Sequence, residues 1–167
     1  MWIRMDSPLR TDDHVRGPTG GDLVVVYADF TCPYCALAHA RLLARERDGD
    51  RPVRRVFRHL ALKAKHPRAV ALGCAAEAAA AQGAFWDFHD AVYADQGRID
   101  DPHLWAIAQR LGLDVQRFEE DRRSAWALQR VQRDTKEAVL AGAMSTPTFF
   151  RDGKPDRARY HELVHTE

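Results

Sequence analysis

Three runs of hydrophobic positions with different periods divide the chain. Leu23 to Phe30 is continuous, β-branched and aromatic with little alternation, the pattern of a central strand covered on both faces. Ala36 to Arg47 reads as a helix, closed by Asp48-Gly49-Asp50, and Val53 to His59 alternates imperfectly between apolar and basic residues, which suits a second strand nearer the sheet edge. Two strands joined through a helix predict a right-handed parallel βαβ unit. From His66 to Ala141 no strand pattern appears. Pro67 opens a helix that runs to Gly83, Phe85, Phe88, His89 and Val92 mark one face of the next, and Asp101-Pro102 supplies the cap and first-turn proline of a third. Asp114 and Ser124 cap two more, the last running through Leu140 to Gly142, so four or five consecutive helices are expected. Strand-like Thr148-Phe149-Phe150 follows, with Asp152-Gly153 as a hairpin turn. Residues 1–21 are polar and rich in Pro and Gly, and read as a flexible lead-in before an ordered domain starting near Asp22.

Composition narrows the function classes. The 167 residues, 46% of them hydrophobic, suffice for one domain with its own core. Lys and Arg number 25 against 24 acidic residues, so no general field attracts nucleic acid or an anionic membrane, and neither is expected as a partner. The basic run Arg51 to Arg58 is interleaved with apolar strand residues and reads as a solvated edge. No signal-peptide pattern opens the chain and no apolar run is long enough to span a bilayer, which gives a cytoplasmic expectation.

The three cysteines, Cys32, Cys35 and Cys74, are too few for a disulfide scaffold. Cys32-Pro33-Tyr34-Cys35 sits between the first strand and the first helix, where unpaired backbone N–H groups and the helix dipole favour a thiolate. A CxxC at such a junction serves either disulfide exchange or half of a metal site. A structural zinc site needs four ligands, and the remaining cysteine and the scattered histidines offer no second CxxC or HxxxH, so redox chemistry is expected and no metal. His39 would complete a C-x2-C-x3-H spacing but lies a full turn farther along the helix. Cys32 is then the exposed, acidic nucleophile that forms a mixed disulfide with substrate, and Cys35, one turn in, is the resolving thiol. Pro33 stiffens the first turn and Tyr34 offers an aromatic face beside the sulfurs. Cys74 reads as a small hydrophobe on an alanine-rich face. His59, His66, His89 and His103 read as solvated or capping residues, and Trp86, Trp105 and Trp126 as packing residues.

Asp29-Phe30-Thr31-Cys32-Pro33-Tyr34-Cys35 resembles the active-site segment of the DsbA-like group of the thioredoxin-fold superfamily, and Thr146-Pro147-Thr148-Phe149-Phe150 resembles its cis-proline loop and following strand. His66-Pro67, Ala75-Ala76-Glu77-Ala78, Gln82-Gly83-Ala84-Phe85-Trp86 and His89-Asp90 are similar to that group's helical insertion. The resemblance spans about Gly21 to Gly153. It implies an α/β thioredoxin-like fold with an inserted helical domain, its core at 22–59 and 142–167 and the insertion at 60–141. It also implies a cis peptide bond before Pro147, with Thr146 and Pro147, together with Pro33 and Tyr34, contacting an extended substrate. The implied activity is thiol-disulfide exchange with protein or small-molecule thiols and no cofactor; the Pro33-Tyr34 pair is shared with glutaredoxins, so glutathione or a thioredoxin-type reductant is a candidate electron partner. A thioredoxin-fold binding or chaperone-like module that senses redox state without efficient turnover is the alternative. Two positions depart from the group: Val26 replaces its buried glutamate, leaving Asp29 as the nearer carboxylate, and Lys154-Pro155-Asp156-Arg157 interrupts the last strand before a short final helix.

Overall fold

The structure, a computed structural model, describes residues 9–165. Strands β1 (His14–Arg16), β2 (Asp22–Ala28), β3 (Val53–His59), β4 (Thr148–Arg151) and β5 (Lys154–Pro155) form one sheet in the order β1-β3-β2-β4-β5. Only β2 and β3 run parallel, joined through helix α1 (Pro33–Asp48), as the βαβ reading expects; the other pairs are antiparallel. Five helices separate β3 from β4: α2 (Ala69–Ala80), α3 (Phe85–Ala94), α4 (Asp101–Arg110), α5 (Val115–Arg122) and α6 (Ala125–Leu140). Helix α7 (Arg157–Val164) closes the chain. This is a thioredoxin-like α/β fold with a block of helices between its halves.

The central strand has two buried faces because each meets its own apolar cluster. Val24, Val26 and Ala28 pack with Phe30, Leu42, Phe57, Phe85, Phe149 and Leu163, while Val25 and Tyr27 face Val56, Leu60, Ala138 and Ala143. That arrangement explains why β2 reads as a continuous hydrophobic run rather than an alternating one. Local signals set the helix boundaries. Gly49 takes a φ of 71° and its amide returns to the Arg45 carbonyl to end α1, and Asp114 and Ser124 accept from the amides of Arg117 and Ala127 to begin α5 and α6. The cap of α4 is Asp100, which accepts from the His103 amide, rather than the expected Asp101, which lies inside the first turn. Asp152 and Gly153, at φ 51° and 72°, make the hairpin turn between β4 and β5. The last strand is indeed cut to two residues by Pro155, and Asp156 caps α7 by accepting from the Arg159 amide.

Two expectations about the sheet edge are corrected. Residues 9–21 are not a loose lead-in: β1 pairs antiparallel with β3, His14 opposite Phe57, and Asp13 holds both Arg58 Nε and Nη2 at 2.8 Å. The polar and glycine-rich composition that suggested flexibility instead provides turns and buried ionic anchors. Residues 1–8 of that segment lie outside the described residues. Consequently β3 is an interior strand, and Arg55 and Arg58 are buried, while Arg54 is half-buried. Arg55 is 1% exposed and reaches Glu46 at 2.8 Å and His39 Nδ1 at 2.7 Å; Arg58 is 8% exposed against Asp13 and Tyr27. Alternation of apolar and basic residues cannot distinguish a wet edge from a strand whose guanidinium groups meet buried carboxylates supplied from elsewhere in the chain.

Asp134 on α6 is the strongest of these anchors. Its fully buried carboxylate receives Arg10 at 3.0 Å, Arg130 and Arg133 at 3.1 Å and the backbone amide of His59 at 3.2 Å. One group therefore joins the N-terminal segment, α6 and the end of β3. Asp134→Ala is expected to cost about 3–5 kcal/mol of unfolding free energy, the usual result of removing one partner from a buried ionic network, measured by urea denaturation.

Candidate functional site

Burial at the end of β2 forces the chain into a tight strand-to-helix turn. Asp29 is buried, its Oδ1 accepting at 2.8 Å from both the amide and the hydroxyl of Thr31, and the Cys32 amide donates to the Asp29 carbonyl at 3.2 Å. Cys32 is the residue preceding α1, with extended φ and ψ of −80° and 122°, and Pro33 occupies the first turn. The Cys32 sulfur sits at the positive end of the helix, where the first-turn amides have no intrahelical partner. Cys35 follows on the buried face of the same turn.

From the other side of the molecule comes the loop before β4. The Thr146–Pro147 peptide bond is cis, and the Thr146 carbonyl accepts from Cys32 Sγ at 3.4 Å. The sequence-predicted set Cys32, Cys35, Thr146 and Pro147 is thus gathered in one place although 114 positions separate its halves. Tyr34 stands outward, 56% exposed, on the rim.

The two thiols, both free, have opposite acidities. A hydrogen bond from the Cys35 thiol, supported by the Thr146 side chain and by the backbone amides of Cys35 and Tyr34, overcomes burial and brings the Cys32 thiol down to about 6. Cys35 is pushed far up, first by burial and then by the hydrogen bond and negative charge of Cys32. Cys32 is not the exposed sulfur that the sequence suggests: it is only 3% exposed, as is Cys35. The cis-proline loop lies against that sulfur, the Thr146 carbonyl accepting from the thiol at 3.4 Å. Its acidity comes from donors inside the site, not from water.

Asp29 is the carboxylate in this layer. Burial raises its pKa above the usual carboxylate value against the opposing Thr31 hydrogen bonds, its Oδ2 is buried with no hydrogen-bond partner, and His66 Nε2 approaches that oxygen at 4.0 Å. The negative charge of Asp29 also contributes to the upward push on Cys35. A protonatable carboxyl beside a resolving thiol is able to take its proton.

Two residues without a sequence signal brace the turn. Tyr93 on α3 donates to the Asp29 carbonyl at 3.1 Å, and Gln96 Nε2 donates to the carbonyls of Phe30 and Cys32 at 2.8 and 3.1 Å. Among the histidines, His103 does support a helix start, at 2.7 Å from Asp100, but His59 and His89 are each only 2% exposed, which corrects the solvated reading. His59 bonds Glu77, 18 positions away, and His89 bonds its neighbour Asp90, so a carboxylate partner makes the burial of each tolerable. His39 turns away from the sulfurs toward Arg55 and Asp90, as its helical position implies. Cys74 is 4% exposed and raised by burial to about 11, consistent with a packing role. Trp86 is anchored by its Nε1 to the Val15 carbonyl, whereas Trp126 is 45% exposed on a surface cavity rather than packed.

Beside the cis-proline loop lies a second cavity of about 350 Å³, bounded by Pro147, Thr148, Phe149, Pro155 and Tyr160. Met144, on its rim, is 84% exposed. Its lining is mixed, with Asp156, Arg157 and His161 beside the apolar residues, and its position next to Pro147 suits an extended chain laid across the loop.

Known proteins share the fold. The structure is similar to a thioredoxin-like oxidoreductase from Silicibacter pomeroyi, with 25% sequence identity, a TM-score of 0.76 and coverage of 93% of this chain and 92% of that one. It also matches alpha-DsbA1 of Wolbachia pipientis at 21% identity and a TM-score of 0.72, over 85% and 75% of the two chains. In sequence it is 45% identical over 165 residues to a protein of Salinispora tropica named as the Na(+)/H(+) antiporter NhaA 3; the match takes 95% of this chain and only 24% of that relative. The chain spans about a quarter of the length of the curated relatives it matches. A family model described as Thioredoxin fits residues 10–163. With that match over nearly its whole length and the fold of the DsbA-like oxidoreductases, the chain belongs to the thioredoxin family.

Proposed function

We propose that the protein is a thiol-disulfide oxidoreductase in which Cys32 attacks and Cys35 resolves. The observation that carries this reading is the opposed acidity of the two sulfurs beneath the cis-proline loop: Cys32 lowered to about 6, Cys35 raised far above its ordinary value. At neutral pH one sulfur is a thiolate and the other holds its proton, the starting state for exchange. The Cys32 thiolate attacks one sulfur of a substrate disulfide and the other substrate sulfur leaves as a thiolate. Cys35 then loses its proton and attacks Cys32, releasing the second substrate thiol and leaving a Cys32–Cys35 disulfide, so two electrons pass from protein to substrate. The same steps run backward when the pair starts oxidised.

Substrates in this reading are protein or peptide disulfides and thiols that lie along Thr146-Pro147 and the neighbouring cavity, with Pro33 and Tyr34 on the opposite rim; glutathione or a thioredoxin-type protein resets the pair. Because Cys32 is nearly covered, the loop or Tyr34 moves aside when a substrate docks. The match of this chain to a fraction of much longer relatives supports a redox module able to work as one part of a larger protein.

Proton handling falls to Asp29 in this scheme, since Val26 stands where many DsbA-like proteins have glutamate. The unpartnered Oδ2 supports the assignment, with His66 as the neighbouring donor.

Three measurements test the proposal. Cys32→Ser abolishes reduction of insulin by dithiothreitol, whereas Cys35→Ser retains the attack and accumulates a mixed disulfide visible by non-reducing mass spectrometry; equal rates for the intact chain and Cys32→Ser would end the enzyme reading. Alkylation of the reduced protein by iodoacetamide follows a titration centred near pH 6. Because the folded value is depressed from 9.0, ionisation of Cys32 stabilises the reduced fold fully above pH 9.0, and that stabilisation is lost as pH falls through about 6. Unfolding free energy of reduced protein should therefore rise across this interval by up to about 1.4 kcal/mol per pH unit relative to Cys32→Ser. Finally, Asp29→Asn lowers turnover by about a hundredfold, within the range for loss of a general base, and removes a pH-dependent limb of the rate without changing the Cys32 alkylation midpoint.

A further inference from the structure

Away from the sulfurs, three chain segments converge on one carboxylate. His14 on β1 and His59 at the end of β3 each place Nε2 at 2.7 Å from the same oxygen, Oε1 of Glu77 on α2. All three donor atoms lie within 4.8 Å of one another. The side chains are 13%, 2% and 6% exposed, so the donors are held by packing and not by the chance collapse of surface chains. The His14 ring is fixed by stacking on Phe85, centroids 3.6 Å apart and planes within 4°, and the His59 ring by its edge contact with Phe57.

We infer that His14, His59 and Glu77 form a binding site for a divalent cation of the Zn2+ class, with its open coordination position directed to the surface cavity that Glu77 lines. Two imidazole nitrogens and one carboxylate are a borderline donor set that suits Zn2+ and not the hard ions Mg2+ or Ca2+. Binding asks little of the fold. To ligate, each imidazole presents the lone pair of Nε2 with its N–H on Nδ1, and the ligands separate slightly from their present hydrogen-bond distances.

The cavity provides the route. It measures about 460 Å³ and is lined by Asp12, Glu77, Trp126, Gln129, Arg130 and Arg133. The guanidinium groups in its wall are tied to carboxylates: Arg133 to Asp12 at 2.6 Å and to Asp134 at 3.1 Å, and Arg130 to Asp134 at 3.1 Å. Their charge is thereby offset where a cation would enter.

A second convergence, His39, His89 and Asp90, shows what such a cluster looks like when it is committed to other partners. There Arg55 donates to His39 Nδ1 at 2.7 Å and Arg16 holds Asp90 at 2.7 Å, so guanidinium groups occupy the donor set itself. At Glu77 the only side-chain partners of Oε1 are the two imidazoles that would become co-ligands, among the described residues. A cation held there would join β1, β3 and α2, fastening the N-terminal strand to the inserted helices.

The test must separate this site from the thiols, which also bind Zn2+. Isothermal titration of Zn2+ into protein carrying an oxidised Cys32–Cys35 pair should show stoichiometric binding. Co2+ added to a Cys32→Ser/Cys35→Ser/Cys74→Ser variant should give visible d–d bands without a thiolate charge-transfer band. His14→Gln and Glu77→Gln should each weaken Zn2+ binding by at least about tenfold, while His39→Gln leaves it unchanged; His14→Gln is the principal variant because it sits on an edge strand, and circular dichroism confirms that it folds. Absence of Zn2+ binding to the oxidised protein, or equal binding by folded His14→Gln, would overturn the site. Because no step of this test involves disulfide exchange, its failure leaves the proposed enzyme activity untouched.

Discussion

Two sulfurs one helical turn apart, both nearly removed from water, share a single negative charge, and the arrangement of this protein follows from where that charge is placed. A buried thiolate is unfavourable unless hydrogen bonds replace its lost hydration. Cys32 has them from the Cys35 thiol, from Thr146 and from backbone amides at the start of α1. Cys35 lies deeper on the same helix and meets the charge of its neighbour, so a second ionisation is opposed twice, by burial and by repulsion. The strand-to-helix junction, the inward position of Cys35 and the return of the chain at Thr146 are all needed to produce that asymmetry. None of them produces it alone.

Charged side chains play a comparable part in the sheet. Arg55, Arg58, Asp134 and Glu77 are each less than a tenth exposed, and each has a partner outside its own element. Such networks contribute less to net stability than apolar packing would, but removing one partner is costly, so they favour one way of assembling the pieces over others. Asp13 with Arg58 and Arg10 with Asp134 specify how the N-terminal segment lies on β3 and α6. The segment has little apolar area with which to specify it otherwise.

Much of this was legible in the sequence where local physics decides. The continuous run of β2, the glycine stop after α1, the caps of α5 and α6 and the Asp152-Gly153 turn are determined by neighbours a few residues away, and the CxxC and Thr-Pro segments resemble a family closely enough to be joined across the chain. What was missed depends on distant partners. Interior placement of β3 rests on β1 covering it, and β1 has only three residues of weak strand character. Burial of His59 rests on Glu77, 18 positions away, and the contact over Cys32 is made by Thr146, 114 positions away. Each is a polar group whose solvation depends on a residue that spacing cannot nominate.

The inserted helices then have a role beyond enclosing a substrate surface. Tyr93 and Gln96 hold the carbonyls of Asp29, Phe30 and Cys32, fixing the turn from which the reactive sulfur projects. One turn earlier on α3, His89 and Asp90 contact His39 of α1 and Arg16 of β1, so the same helix braces the flank of the cysteine-bearing helix and the edge of the sheet. Hydrogen bonds to a carbonyl constrain it in direction as well as position, and a helix start whose preceding carbonyls are constrained keeps its free amides aimed at one point. The hydrogen bonds that lower Cys32 come from α1 and the cis-proline loop, and the insertion holds the turn on which those donors are mounted.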